Sequence, residues 1–219
     1  MMPTPSTRRI LLFGDSLTAG NYLPEGQRPH HWVSLLSGLW KDQIEFLNEG
    51  QGGRSSDCLA EFASVLVAHS APDLLVLWLG TNDSREMDGD IARRTAQNLR
   101  QMIHQARARY GPELSILLVA PTNIHPPAYT KYTPEFAEAR QANLRAIGGA
   151  IDELAAEEHC AMVNLFDTLP AASLAGDGVH PDADGNLAMA RVLAPALART
   201  LGSSASPRNN SPGLLPTDI

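Results

Sequence analysis

The sequence predicts an open three-layer α/β/α sandwich built on a five-stranded parallel sheet. Three observations point there. Five short runs are nearly continuous in apolar character rather than alternating, as in parallel strands covered on both faces. Helical patterns separate them, so the chain reads as successive βαβ units with right-handed crossovers. With 219 residues, 43% of them hydrophobic and 19% charged, one domain has material for a sizeable core.

The strand runs fall at residues 9–13, 44–47, 74–79, 115–120 and 162–166. Leu59, Phe62 and Leu66 share one face of a first helix, and Ile91, Thr95, Leu99 and Met102 one face of a second. Leu144, Ile147, Ile151 and Leu154 mark a third, with Thr133 as its N-cap and Pro134 at its first position. A last helix runs from about Gly185 to Leu201. Five strands in this pattern suggest the flavodoxin-like order 2-1-3-4-5. Residues 1–202 read as one domain. The stretch 203–219, rich in Ser, Pro and Asn and without periodicity, is expected to be a disordered tail.

The formal net charge of -7 argues against nucleic-acid binding through a basic surface. No apolar run approaches the ~20 residues of a membrane span. The apolar stretch after Arg8 and Arg9 is too short for the roughly 7–15 residues of a signal-peptide core, so a cytoplasmic protein is expected. Cys58 and Cys160 form no disulfide framework, and no Cys/His cluster has zinc spacing.

The chemistry lies in the turns that follow the strands. Gly14-Asp15-Ser16-Leu17 ends the first strand in a tight turn that aims one hydroxyl outward, as a nucleophile requires. The Gly14-Asp15-Ser16 triplet would also serve as a plain strand-ending turn and helix cap. Asn48 through Gly53 follow the second strand. Their glycines suit either a bare turn or a close approach of backbone N–H groups to a ligand, while the Gly-Lys-Ser/Thr of a phosphate loop is missing. Gly80-Thr81-Asn82-Asp83 follow the third strand. Asn82 is there either a turn former or an amide donor for an oxyanion. Asp177-Gly178-Val179-His180 offers a carboxylate and an imidazole on a bent loop. In the order 2-1-3-4-5 the strands carrying Gly53, Ser16 and Asn82 are neighbours, at the edge where connections diverge to opposite faces. His180 follows strand 5, about 14 Å away at ~4.8 Å per strand. Residues 167–177 must carry it back, and at ~3.3 Å per residue they can.

These four blocks, in order across residues 8–200, resemble the GDSL esterase/lipase family of the SGNH hydrolase superfamily. The resemblance implies the SGNH hydrolase sandwich. It also implies a serine-dependent ester hydrolase in which Ser16 attacks, His180 is the base and Asp177 orients it, with no metal or organic cofactor. Its oxyanion hole would be the Ser16 N–H, the Gly53 N–H and the Asn82 amide.

The long connection 121–133 follows the fourth strand and contains Pro121, Pro126, Pro127, two tyrosines and His125. Loops at this edge shape binding sites, which makes His125 a candidate substrate contact. The other histidines, Cys58 and the tryptophans read as packing or surface residues, with Trp32 the one that could edge the site. Asp15 and Asp83 read as braces for their turns. The small-molecule substrate is expected to be a short-chain acyl ester. O-acetyl groups of carbohydrates come first, because Gly53-Arg54-Ser55-Ser56 resembles the second block of family members that deacetylate sugars. The alternatives are a thioesterase or lysophospholipase acting on longer chains, or a non-catalytic flavodoxin-like binding domain. Monomer and small homo-oligomer both fit the sequence.

Overall fold

The computed structural model describes residues 7–202. The expected tail at 203–219 lies outside them. Eleven regular elements occur in the order β1 (Arg8–Gly14), α1 (Ser16–Ala19), α2 (Trp32–Trp40), β2 (Ile44–Gly50), α3 (Leu59–Ala68), β3 (Leu74–Trp78), α4 (Ile91–Tyr110), β4 (Ile116–Ala120), α5 (Pro134–Glu157), β5 (Ala161–Asn164) and α6 (Ala183–Thr200), joined by turns and short 3-10 segments. The strands form one sheet in the order β2-β1-β3-β4-β5, and every neighbouring pair is parallel.

Period-two alternation along the strands divides the core between two faces. Ile10, Leu12, Leu74, Val76, Leu117 and Val119 point to the side covered by α2 and α6. Leu11, Phe13, Leu75, Leu77, Ile116 and Leu118 point to the side covered by α3, α4 and α5. The apolar stripes expected on α3, α4 and α5 are the ones that cover the sheet: Phe62 and Leu66, then Leu99 and Met102, then Ile147, Ile151 and Leu154. Thr133 caps α5 by accepting the Phe136 N–H, with Pro134 in the first turn. No helix among the described residues is long and apolar enough to cross a membrane.

Two local expectations shift. The last strand ends at Asn164 rather than Phe166, because the Asn164 side chain accepts the Phe166 N–H and turns the chain, and Asp167 follows at φ 60°. Helix α2 has no counterpart in the sequence reading. It starts without a side-chain cap, carries Gly38 and spans nine residues, so its local signals are weak. Its stability comes from burying Trp32, Leu36 and Trp40 against the sheet and α6.

The register places the chemistry-bearing turns. Gly14 pairs with Gly50 of β2 on one side and with Trp78 of β3 on the other. The three strands therefore end level, and the turns after them leave from one edge.

Candidate active site

Asp15 closes β1 by accepting the Leu17 N–H at 2.9 Å, which starts α1 and sets Ser16 at its first position. The returning segment after β5 is held from below. Leu165, Leu169 and Leu174 are buried in the α2/α6 side of the core, the Leu174 carbonyl accepts the Gly178 N–H, and the Ser173 carbonyl accepts the Asp182 N–H. Gly178 sits at φ 80°, and a Cβ there would lie 2.8 Å from the His125 carbonyl and the Tyr129 N–H. Only glycine fits that bend.

This return brings His180 to Ser16. The Ser16 hydroxyl lies 2.9 Å from His180 Nε2, and Asp177 Oδ2 lies 2.7 Å from Nδ1. The other Asp177 oxygen accepts the His180 and Val179 N–H groups at 2.8 and 2.9 Å. Burial acts to raise the Asp177 carboxyl, but the bonds from His180 and Val179 outweigh it and hold the group below the usual carboxylate range. An ionised carboxylate can only accept, so Nδ1 carries the ring proton. Nε2 is then the acceptor that faces the Ser16 hydroxyl.

The second and third turns are bound to each other. Asn82, buried at 7% exposure, donates from Nδ2 to the Arg54 carbonyl at 2.9 Å. One amide hydrogen is used there and the other meets no acceptor among the described residues. Asp83 accepts the Ser56 N–H and the Ser56 and Thr95 hydroxyls, so it is a brace, as expected. Gly53 adopts φ 80° and is exposed. None of the described residues accepts a hydrogen bond from its N–H.

His125 enters through its backbone: its N–H donates to the Gly178 carbonyl at 2.7 Å, tying the 121–133 connection to the Asp177–His180 bend. Trp32 does not edge the site. It is buried at 1% exposure and donates from its indole to the Leu17 carbonyl. His31 lies beside it against the same carbonyl.

Three further contributors brace the site: Arg54, which stands in the Gly53-Arg54-Ser55-Ser56 run without a role of its own there, and Arg140 and Tyr22, which lie in no motif. Arg54 is buried at 7% exposure with its guanidinium 4.1 Å above the Phe13 ring, and it donates to the Gly14 and Glu49 carbonyls and to Glu61. Arg140 is fully buried and donates to the Thr81 carbonyl and the Ser84 hydroxyl, bracing the Asn82 turn from α5. Its signal was available, since it occupies the apolar stripe of that helix between Ala137 and Leu144. Tyr22 stacks on the His180 ring with centroids 4.8 Å apart.

Asp15 carries an electrostatic cost. Burial pushes its carboxyl up to about 6, against the Leu17 N–H bond and the pull of His180, while Asp83 adds repulsion. A folded-state value above the unfolded one means that stability is full below about pH 4 and is lost as pH rises towards 6. Asp15→Asn keeps an oxygen for the Leu17 N–H and removes the charge. It is expected to stabilise the fold at pH 7 by about 3 kcal/mol at most, with the gain gone near pH 4. Thermal melts of both proteins at the two pH values check this. Equal melting temperatures at pH 7 would refute it.

Comparison with known proteins adds a family to this geometry. Residues 12–188 match the model of the GDSL-like Lipase/Acylhydrolase family. Among solved structures, the chain is similar to a carbohydrate acetylesterase family member from Sinorhizobium meliloti, at 25% identity over 90% of this chain and 100% of that one, with a TM-score of 0.74. It is similar to TesA at 26% identity, covering 88% and 99% of the two chains, with a TM-score of 0.67. A putative arylesterase from Agrobacterium tumefaciens str. C58 shares the fold at 24% identity, over 89% and 100% of the chains, with a TM-score of 0.74. No curated protein matches in sequence.

Proposed function

The chain belongs to the GDSL-like lipase/acylhydrolase family and is a carboxylic ester hydrolase, and from that premise we propose that it removes short acyl groups, acetyl first, from esterified carbohydrates through an acyl-enzyme on Ser16. Residues 1–202 act in this reading as one hydrolase domain. The observation that carries it is the hydrogen-bonded series Ser16–His180–Asp177 at the level end of β1.

His180 Nε2 takes the Ser16 proton as Oγ bonds to the ester carbonyl carbon. The carbonyl oxygen becomes an oxyanion, met by the Ser16 N–H, the exposed Gly53 N–H and the second hydrogen of the Asn82 amide. Asp177 stabilises the imidazolium without taking its proton. The imidazolium then protonates the leaving alkoxide, the alcohol departs, and the acyl group stays on Ser16. Water repeats the sequence with His180 again as base, releasing the acid and the free serine.

Two further observations favour a small substrate with a carbohydrate alcohol. The Gly53-Arg54-Ser55-Ser56 run resembles that of sugar deacetylases, and the Sinorhizobium protein is named as a carbohydrate acetylesterase family member.

Hydrolysis of p-nitrophenyl esters from acetate to dodecanoate, followed by a panel of acetylated sugars, tests the proposal. Acetate is expected to give the highest kcat/KM, with acetylated sugars turned over. Preference for octanoate or longer, or good turnover of acyl-CoA with none of acetylated sugars, would replace it with a long-chain esterase or thioesterase.

A further inference from the structure

The hydrogen bonds to His180 leave one degree of freedom open. Asp177 and Ser16 hold the two ring nitrogens. They fix the line through Nδ1 and Nε2 more firmly than the tilt of the ring about it. Rotation about that line changes the two bond angles little, so the plane of the ring is left to whatever packs on its face.

The face of the imidazole is covered by Tyr22, with centroids 4.8 Å apart and planes 24° from parallel. Tyr22 is itself anchored. Its hydroxyl donates to Asn186 Oδ1 at 3.0 Å, and burial pushes the phenol up, so it stays protonated. Asn186 has no exposed surface. Its oxygen also accepts the Trp32 N–H, and its nitrogen donates to the Pro181 and Asp182 carbonyls at 3.1 and 2.8 Å. One buried amide at the start of α6 thus holds the two residues after His180 and the ring that covers it.

We infer that Tyr22 is a positioning residue of the hydrolytic site: seated on the face of His180, its ring fixes the tilt of the imidazole and favours the imidazolium that forms in the transition state. The inference rests on His180 acting as the base. Around the imidazole stand Asp177 from its own loop, Ser16 from α1 and Tyr22 from the segment after it, and Asp15 at the end of β1 acts on it through charge. The two carboxylates attract the imidazolium through charge. Tyr22 adds the negative face of a π-system, a cation–π contact that neutral imidazole lacks.

Tyr22→Leu keeps an apolar cover of similar bulk and removes the ring, whereas Tyr22→Phe keeps the ring and removes the bond to Asn186. With p-nitrophenyl acetate, the Leu variant is expected to lose about tenfold in kcat with KM little changed, as mispositioning of a catalytic group does. The acid limb of its kcat/KM profile is expected to move to lower pH by about half a unit. Phe is expected to stay within about threefold of wild type in kcat, with its acid limb in place, since the exchange costs one hydrogen bond and keeps the stack. A Leu variant with wild-type kcat and an unmoved acid limb would overturn the inference, as would a Phe variant that falls as far as Leu. A merely structural role would lower the melting temperature and leave the limb unmoved. Tyr22→Met carries the same test if the Leu variant does not fold. Ser16→Ala in the same series separates the two levels: if it stays active, the Ser16 acyl-enzyme mechanism fails, whatever Tyr22 does.

Discussion

Ser16→Ala is expected to lower kcat for p-nitrophenyl acetate by about 10⁴-fold or more, since losing the nucleophile removes the covalent route and leaves only the oxyanion donors and binding. The fold should be untouched. Ser16 is partly buried at the start of a four-residue helix whose cap comes from Asp15, and alanine keeps its backbone N–H. An unchanged melting temperature with lost turnover would assign the loss to chemistry. Wild-type turnover by the variant would mean that the family resemblance describes the fold without the nucleophile.

Asn82→Ala is expected to cost about 10²–10³ in kcat with a smaller change in KM, the signature of a donor that acts on the transition-state oxyanion. The same change removes the bond to the Arg54 carbonyl, which steadies the turn carrying Gly53. A loss of about 1 kcal/mol in stability should therefore accompany the kinetic loss. Kinetics and thermal melts on one preparation separate the two. A melting shift with unchanged kcat would make Asn82 a brace for Arg54, not an oxyanion donor.

The parallel sheet was legible because strands buried on both faces leave nearly unbroken apolar runs, and Ile10 to Phe13 or Leu74 to Trp78 could be little else. The four turns were legible for a related reason. Parallel strands that end level put successive turns on one edge, so Ser16, Gly53 and Asn82 could be grouped from strand order alone. For the return of His180 the sequence offers only a length that the chain can span. What holds it is tertiary: Leu169 and Leu174 in the core, and Gly178 fitted beneath His125 and Tyr129. Helix α2 escaped, although Trp32, Leu36 and Trp40 stand at helical spacing, because it is short and starts without a side-chain cap. The helical stripe marks Arg140 as buried without giving its role, and Tyr22 lies in no motif. Each works through contacts with distant residues, Tyr22 with Asn186 and Arg140 with Thr81 and Ser84. No local spacing encodes those pairs.

The most direct test of the account is to catch the acyl group on the protein. Enzyme turning over p-nitrophenyl acetate would be quenched in acid within the first turnovers, digested, and its peptides read by tandem mass spectrometry. An acetyl group is expected on the hydroxyl of Ser16, absent from Ser16→Ala treated in the same way. Acetylation at another residue that tracks turnover, with Ser16 unmodified, would contradict it.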